Sequence, residues 1–181
     1  MKDTLFQYDL VTKNCRDLFG QKAKDYGTAW RIMRGPSVTD QIFIKAQRIR
    51  TIQEIGEQKV QEDIKGEFIA IVNYAIIGLI QFKLVNDKRV EIPLPEVLAY
   101  YDDEVLKAKK LMQDKNHDYG EAWRLMRLTS LVDLLLMKIM RVKQIEGNNG
   151  KTIVSEGIDA NYQDMLNYAV FSLIRIEEGT V

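Results

Sequence analysis

Residues 22–50 align without a gap on residues 115–143, and the identities are too many for chance. Lys22/Lys115, Asp25/Asp118, Tyr26/Tyr119, Gly27/Gly120, Trp30/Trp123, Arg31/Arg124, Lys45/Lys138 and Arg48/Arg141 are the same residue in both copies. After a one-residue insertion the match resumes at Glu62/Glu156 and Ile64/Ile158, and Asn73-Tyr74-Ala75 repeats as Asn167-Tyr168-Ala169. A chain built from two copies of one unit folds each copy into the same local structure. A residue kept in both copies answers to a shared constraint, structural or functional.

Each copy predicts three helices, at about 4–26, 37–57 and 60–84 in the first and about 95–119, 130–146 and 154–176 in the second. Leu98, Val105, Leu106, Leu111 and Met112 recur at helical spacing, and no segment alternates with period two, so little or no sheet is expected. Gly27 and Gly120 stand where a left-handed C-cap would end the first helix of each unit. Ser37 and Ser130 each have an Asp three residues on, the spacing of a capping box with Asp in place of Glu. A three-helix unit of this size buries its apolar faces poorly alone. The expected fold is therefore all-α: duplicated three-helix units (1–85 and 96–181, joined by a linker at 86–95) packed as one compact, pseudo-twofold helical bundle.

Lysine plus arginine and aspartate plus glutamate balance at 26 each, so no global field draws the chain to nucleic acid or to an anionic membrane. The one cysteine, Cys15, cannot form an internal disulfide, which suits a reducing, cytoplasmic setting. No Cys/His cluster suggests zinc. The start of the chain lacks the apolar core of a signal peptide, and runs such as 70–80 fall short of a membrane span.

Three groups of residues carry candidate chemistry. In K-x-x-D-Y-G, Lys115 and Asp118 (Lys22 and Asp25 in the first copy) share a helix face. They form either a salt bridge at a helix end, with Tyr119 and Trp123 in the core, or a nucleotide cradle. In the cradle an aromatic ring stacks, the Lys meets phosphate, and the Asp meets a metal or a base edge. His117 is replaced by Lys24 in the first copy, so it is not needed by both. Lys138 and Arg141 (Lys45 and Arg48) put two cations on one face of an apolar helix, where they either bridge to acids on the third helix or face a phosphate. Arg31, Arg34, Arg124 and Arg127 add to such a patch. The third group is a polar stripe on the last helix of each copy: Glu156, Asp159, Asp164 and Asn167, matched by Glu62, Asp63, Glu67 and Asn73. Carboxylates gathered along one face suit Mg²⁺. Asn167, flanked by apolar residues, is expected to be buried and so to hold a specific hydrogen-bond partner.

K-N-H-D-Y-G-E-A-W-R, then D-x4-K-x2-R, then E-G-I-D-A-N-Y-Q-D-M-L-N-Y-A-V-F resembles the nucleotide modification associated domain family. The likeness covers the second copy and, more loosely, the first. That family, of largely unknown function, implies a link to nucleotide metabolism. A weaker resemblance is to all-α NTP pyrophosphatases of the MazG and dimeric dUTPase type. Asp164 and Tyr168 match the D-x-x-x-Y part of their metal helix, but Asn161 stands where the preceding acid belongs. The first copy has the converse, Glu67 with Ala70 in place of the Asp, and only Glu54 and Glu57 give E-x-x-E. This resemblance implies a composite site, with Glu67, Glu156 and Asp164 as metal ligands and Asp164 and Glu156 as the catalytic acids.

The function expected from these readings is nucleotide binding. It extends to a Mg²⁺-dependent nucleoside triphosphate pyrophosphohydrolase or an enzyme of modified-nucleotide metabolism. Lys115, Asp118, Tyr119, Trp123, Arg124, Lys138, Arg141 and Asn167, with Lys22, Asp25, Lys45 and Arg48, would contact substrate. The alternative is a non-catalytic helical interaction or regulatory module. A homodimer is compatible with either; nucleic acid is disfavoured by the charge balance.

Overall fold

The computed structural model describes residues 3–56, 63–154 and 156–180. These contain six α-helices and no strand: α1 (Thr4–Tyr26), α2 (Gly35–Ile55), α3 (Ile64–Lys83), α4 (Leu94–Tyr119), α5 (Leu128–Gly147) and α6 (Ile158–Glu177). A single 3-10 turn separates the first two helices of each unit, at Ala29–Ile32 and at Ala122–Leu125. The all-α class and the repeated helix order thus stand as the periodicity and the repeat predict.

Several boundaries differ from expectation. The second helix of each unit begins two residues early, at Gly35 and Leu128, after Arg34 and Arg127 in extended conformation. Pro36 favours this start in the first unit, because proline is preorganised for a first helical turn. Ser37 and Ser130 consequently lie inside the helix and cap nothing. Helix α6 begins after Gly157, later than the expected 154, and Ile153 and Val154 stand fully exposed before it. Gly27 and Gly120 do end α1 and α4, at φ 62 and 61, but with ψ −143 and −158. That is the extended positive-φ region open essentially to glycine alone, not the left-handed helical cap. At Gly27 a Cβ would also fall 2.3 Å from the Glu91 carboxylate.

Each helix packs on its own counterpart: α3 on α6, α2 on α5, α1 on α4. Within units α2 packs on α3 and α5 on α6, and between units α1 meets α6 and α3 meets α4. Exchanging the two halves leaves this set of main contacts unchanged. One continuous apolar core joins both halves, with Tyr8, Ile42, Phe68, Ile76, Tyr101, Leu135 and Tyr162 among its fully buried members. Helix α3 is long and apolar enough to cross a bilayer by length and composition, which the apolar runs in the sequence do not suggest. More than half of it is buried inside the bundle, and a core helix passes the same test.

Some polar contacts between the halves come in matched pairs. Arg16 binds Asp102 at 2.5 and 2.8 Å, while at the equivalent positions Lys109 binds Asp9 at 2.6 Å. Lys143 binds Asp40, and at the equivalent positions Arg50 lies 3.8 Å from Asp133. Exposed pairs like these contribute at most about 1 kcal/mol each, so they orient the halves more than they stabilise them. A pair of amides, Asn167 buried and Asn73 half-buried, is different. Asn167 accepts a hydrogen bond from the Tyr8 hydroxyl at 2.8 Å and donates to the Ala108 carbonyl at 3.0 Å. Its counterpart Asn73 accepts from Tyr101 at 2.8 Å and donates to the Cys15 carbonyl at 3.2 Å. Each amide therefore takes one partner from each half.

The α3–α6 contact is closest at Gly78, where a Cβ would come within 2.3 Å of the Tyr162 ring. Gly78→Ala is expected to cost about 1–3 kcal/mol of stability through overpacking. Asn167→Ala, which orphans a buried hydroxyl and a buried carbonyl, is expected to cost roughly 3 kcal/mol. Urea denaturation of each variant measures both effects. An unchanged midpoint would show that the inter-half contact does not hold the fold.

Candidate functional site

The acid of the last helix sits one helical turn apart in the two halves, and this decides which cations it holds. In the first half Glu67 is 3% exposed and takes two cations of α2, Lys45 and Arg48. Arg48 donates to its Oε1, and Lys45 Nζ lies 3.6 Å from its Oε2. The second half has Asn161 at that position and carries its acid at Asp164 instead. Asp164 is 5% exposed; Lys115 of α4 donates to its Oδ1 at 2.7 Å and Lys138 of α5 approaches its Oδ2 at 2.7 Å. Lys138 is itself buried, so the pair is desolvated together. Burial works against the Lys115 ammonium, yet the Asp164 carboxylate beside it outweighs this and raises its pKa above the ordinary lysine value.

Because Asp164 is bound by the two lysines, Arg141 pairs with no acid among the described residues. It faces a cleft of about 810 Å³ that is also lined by Lys115, Lys138, Lys151, Asp164, Glu156, Tyr119 and Tyr168. Four cations there meet two acids, so the cleft is net positive. Asn161 donates to the Gly157 carbonyl at 2.8 Å, and its Oδ1 is buried at the cleft with no hydrogen-bond partner among the described residues. Burial raises the Tyr168 phenol above its ordinary value and the Asp164 charge adds to this, so it remains a hydrogen-bond donor at neutral pH. Lys115, Tyr119, Asp164 and Tyr168 also line an adjoining hollow of about 320 Å³ against Trp123, Phe171 and Asn167. Trp123 stacks on Phe171 at 4.3 Å, and its buried Nε1–H has no hydrogen-bond partner among the described residues.

Not every residue singled out from the sequence lies in this site. Arg124 is engaged elsewhere: it stacks on Trp123 and bonds Glu121, Glu178, Thr4 and Gln7, tying the 3-10 turn to α1 and α6. Asn167 is committed to Tyr8 and Ala108. Asp118 is exposed and meets His117 at 3.1 Å, and Asp25 is exposed. The polar stripe is not one face, because Asp164 and Asn167 are buried, Asp159 is exposed and Glu156 precedes the helix. The structure does not bring the acids of the composite site into one hollow. Glu67 belongs to Lys45 and Arg48 of its own half and lines neither of the hollows that Asp164 lines. Among the described residues no three of His, Cys, Asp and Glu gather as a metal would need. Glu57 and Glu62 lie outside the described residues. Sequence reasoning missed Lys151, Tyr168 as a wall of the cleft, and Asn161 as a free acceptor. A buried asparagine replacing the acid of the other copy was the available signal for the last.

Breaking the buried pair from one side leaves Lys138 without compensation. Asp164→Asn is expected to lower stability by about 3 kcal/mol at neutral pH. Lys138→Met removes the buried charge and leaves Asp164 bound to Lys115, so it is expected to cost clearly less. Urea denaturation of the two variants checks the order; equal losses would mean that the pair carries no special weight.

The family described as nucleotide modification associated domain 1 matches the chain twice, over residues 22–82 and 115–176. No curated protein and no solved structure matches it.

Proposed function

Since the chain belongs to the nucleotide modification associated domain 1 family, we propose that its second half binds a nucleotide. The phosphates lie toward Arg141, Lys138, Lys115 and Lys151, and the ring lies against Tyr119 and Tyr168. What carries this is Arg141, a guanidinium with no acid partner among the described residues at the wall of a net-positive cleft. Its planar fork suits two phosphate oxygens, and lysines add point charge around it. The cleft volume falls within the range of small-molecule sites. The free Asn161 Oδ1 offers an acceptor to a base amino group or a sugar hydroxyl.

A protein-held magnesium ion does not fit this donor set. Both oxygens of Asp164 already lie against lysine ammonium groups, and a metal there would have to displace them. The same occupation disfavours Asp164 as a general base and makes it the counter-ion that positions Lys115 and Lys138. The non-catalytic role, a nucleotide-binding regulatory module, is therefore favoured over hydrolysis.

Thermal denaturation with mono-, di- and triphosphates of each base, with and without Mg²⁺, tests the reading. At least one nucleotide is expected to raise the melting temperature, less so at high salt. Arg141→Ala, at an exposed position, is expected to weaken that nucleotide about tenfold or more, the scale of a lost charged hydrogen bond. No stabilisation by any nucleotide would end the reading. Equal stabilisation by inorganic tripolyphosphate would reduce it to phosphate binding.

A further inference from the structure

The same hollow exists in both halves, finished differently in each. In the first half Phe19, Tyr26, Trp30, Tyr74, Met33 and Ile77 line a cavity of about 400 Å³, with Lys22 also in its wall. In the second half the corresponding hollow is about 320 Å³. Two replacements account for the difference in character. Ile77 stands where Phe171 covers Trp123, so no flat ring stacks on Trp30; its ring neighbour Phe19 is tilted at 49° and 6.4 Å away. Ala70 stands where Asp164 binds Lys115, so Lys22 pairs with no acid among the described residues. The first-half hollow is thus larger and aromatic-walled, with the Lys22 charge free of an acid partner among the described residues. Meanwhile the α2 cations that answer to the second-half cleft, Lys45 and Arg48, are held by Glu67.

We infer that the first-half hollow is a second binding site, distinct from the nucleotide cleft, for a flat heteroaromatic ring bearing one anionic group. The ring stacks on Trp30 and the anion meets Lys22. Aromatic walls favour a flat π-system of almost any base identity, and Lys22 selects for negative charge beside it. The inference stands independently of the reading of the second half, because it rests on different residues.

Nucleosides and their 5′-monophosphates are the probes. The chain has two tryptophans, so Trp123→Phe leaves Trp30 as the only one. Saturable quenching of Trp30 fluorescence is expected from a monophosphate. Lys22→Ala is expected to weaken the monophosphate about tenfold while leaving its parent nucleoside unchanged. Gly66 lines the hollow, and a Cβ there meets nothing within 4 Å, so a side chain can start there without a clash; Gly66→Leu is expected to fill the hollow and abolish binding of both. Calorimetric titration of the Arg141→Ala chain gives the same reading without altering Trp123. Binding at this hollow survives Arg141→Ala and is lost in Gly66→Leu; binding in the second-half cleft shows the reverse. No saturable signal from any probe, or a signal that survives Gly66→Leu, would overturn the inference.

Discussion

Two amides, Asn167 buried and Asn73 half-buried, hold this fold in register. Asn73 and Asn167 each accept from a tyrosine of the opposite half and donate to a main-chain carbonyl of their own. A buried amide with an end left unpaired costs on the order of 1–3 kcal/mol. Neither amide is satisfied until the halves have docked. The lock therefore makes the pairing of the halves a condition for satisfying either one, and it sets the rotation of α3 and α6 about their axes. Everything else on those helices follows from that rotation, including which residues face α2 and α5 and so which cations an acid can reach.

Given that register, one turn of helix separates two different electrostatic outcomes. An acid at position 67 binds the Lys and Arg of the neighbouring helix, and the local charge is spent. An acid one turn further on, at position 164, binds a lysine from each of two helices and leaves Arg141 facing solvent in a cleft. The backbone plan is common to both halves. Their chemistry differs by the placement of a single carboxylate, together with Ile77 in place of Phe171 at the aromatic hollow.

Much of this was legible in the amino-acid order. The duplication gave the helix count, the glycines after each tyrosine marked the helix ends, and the apolar flanks of Asn167 required a hydrogen-bonded amide in the core. The alternative in which Lys138 bridges to an acid of the third helix is what the structure shows. Other features lay beyond a one-dimensional pattern. Ser37 and Ser130 match a capping box, but the helix starts before them, and cap spacing does not register an extended arginine upstream. Arg124 resembles a phosphate ligand by type; only the fold brings Thr4, Gln7 and Glu178 around it. Joining Glu67 with Asp164 fills each copy's missing acid from the other and assumes that the two acids face one another. Each faces the cations of its own half instead.

The reciprocal contacts between the halves have a consequence for how such a chain can change. A self-complementary interface between two separate, identical chains obliges both partners to carry every substitution at once. Here the linker keeps the partners together at a fixed high local concentration, and each is encoded separately. One side can thus carry its carboxylate a helical turn from where the other does, and one can put isoleucine where the other has a phenylalanine over its tryptophan, with the shared scaffold undisturbed. Covalent tethering thus lets two copies of one unit diverge within a single scaffold.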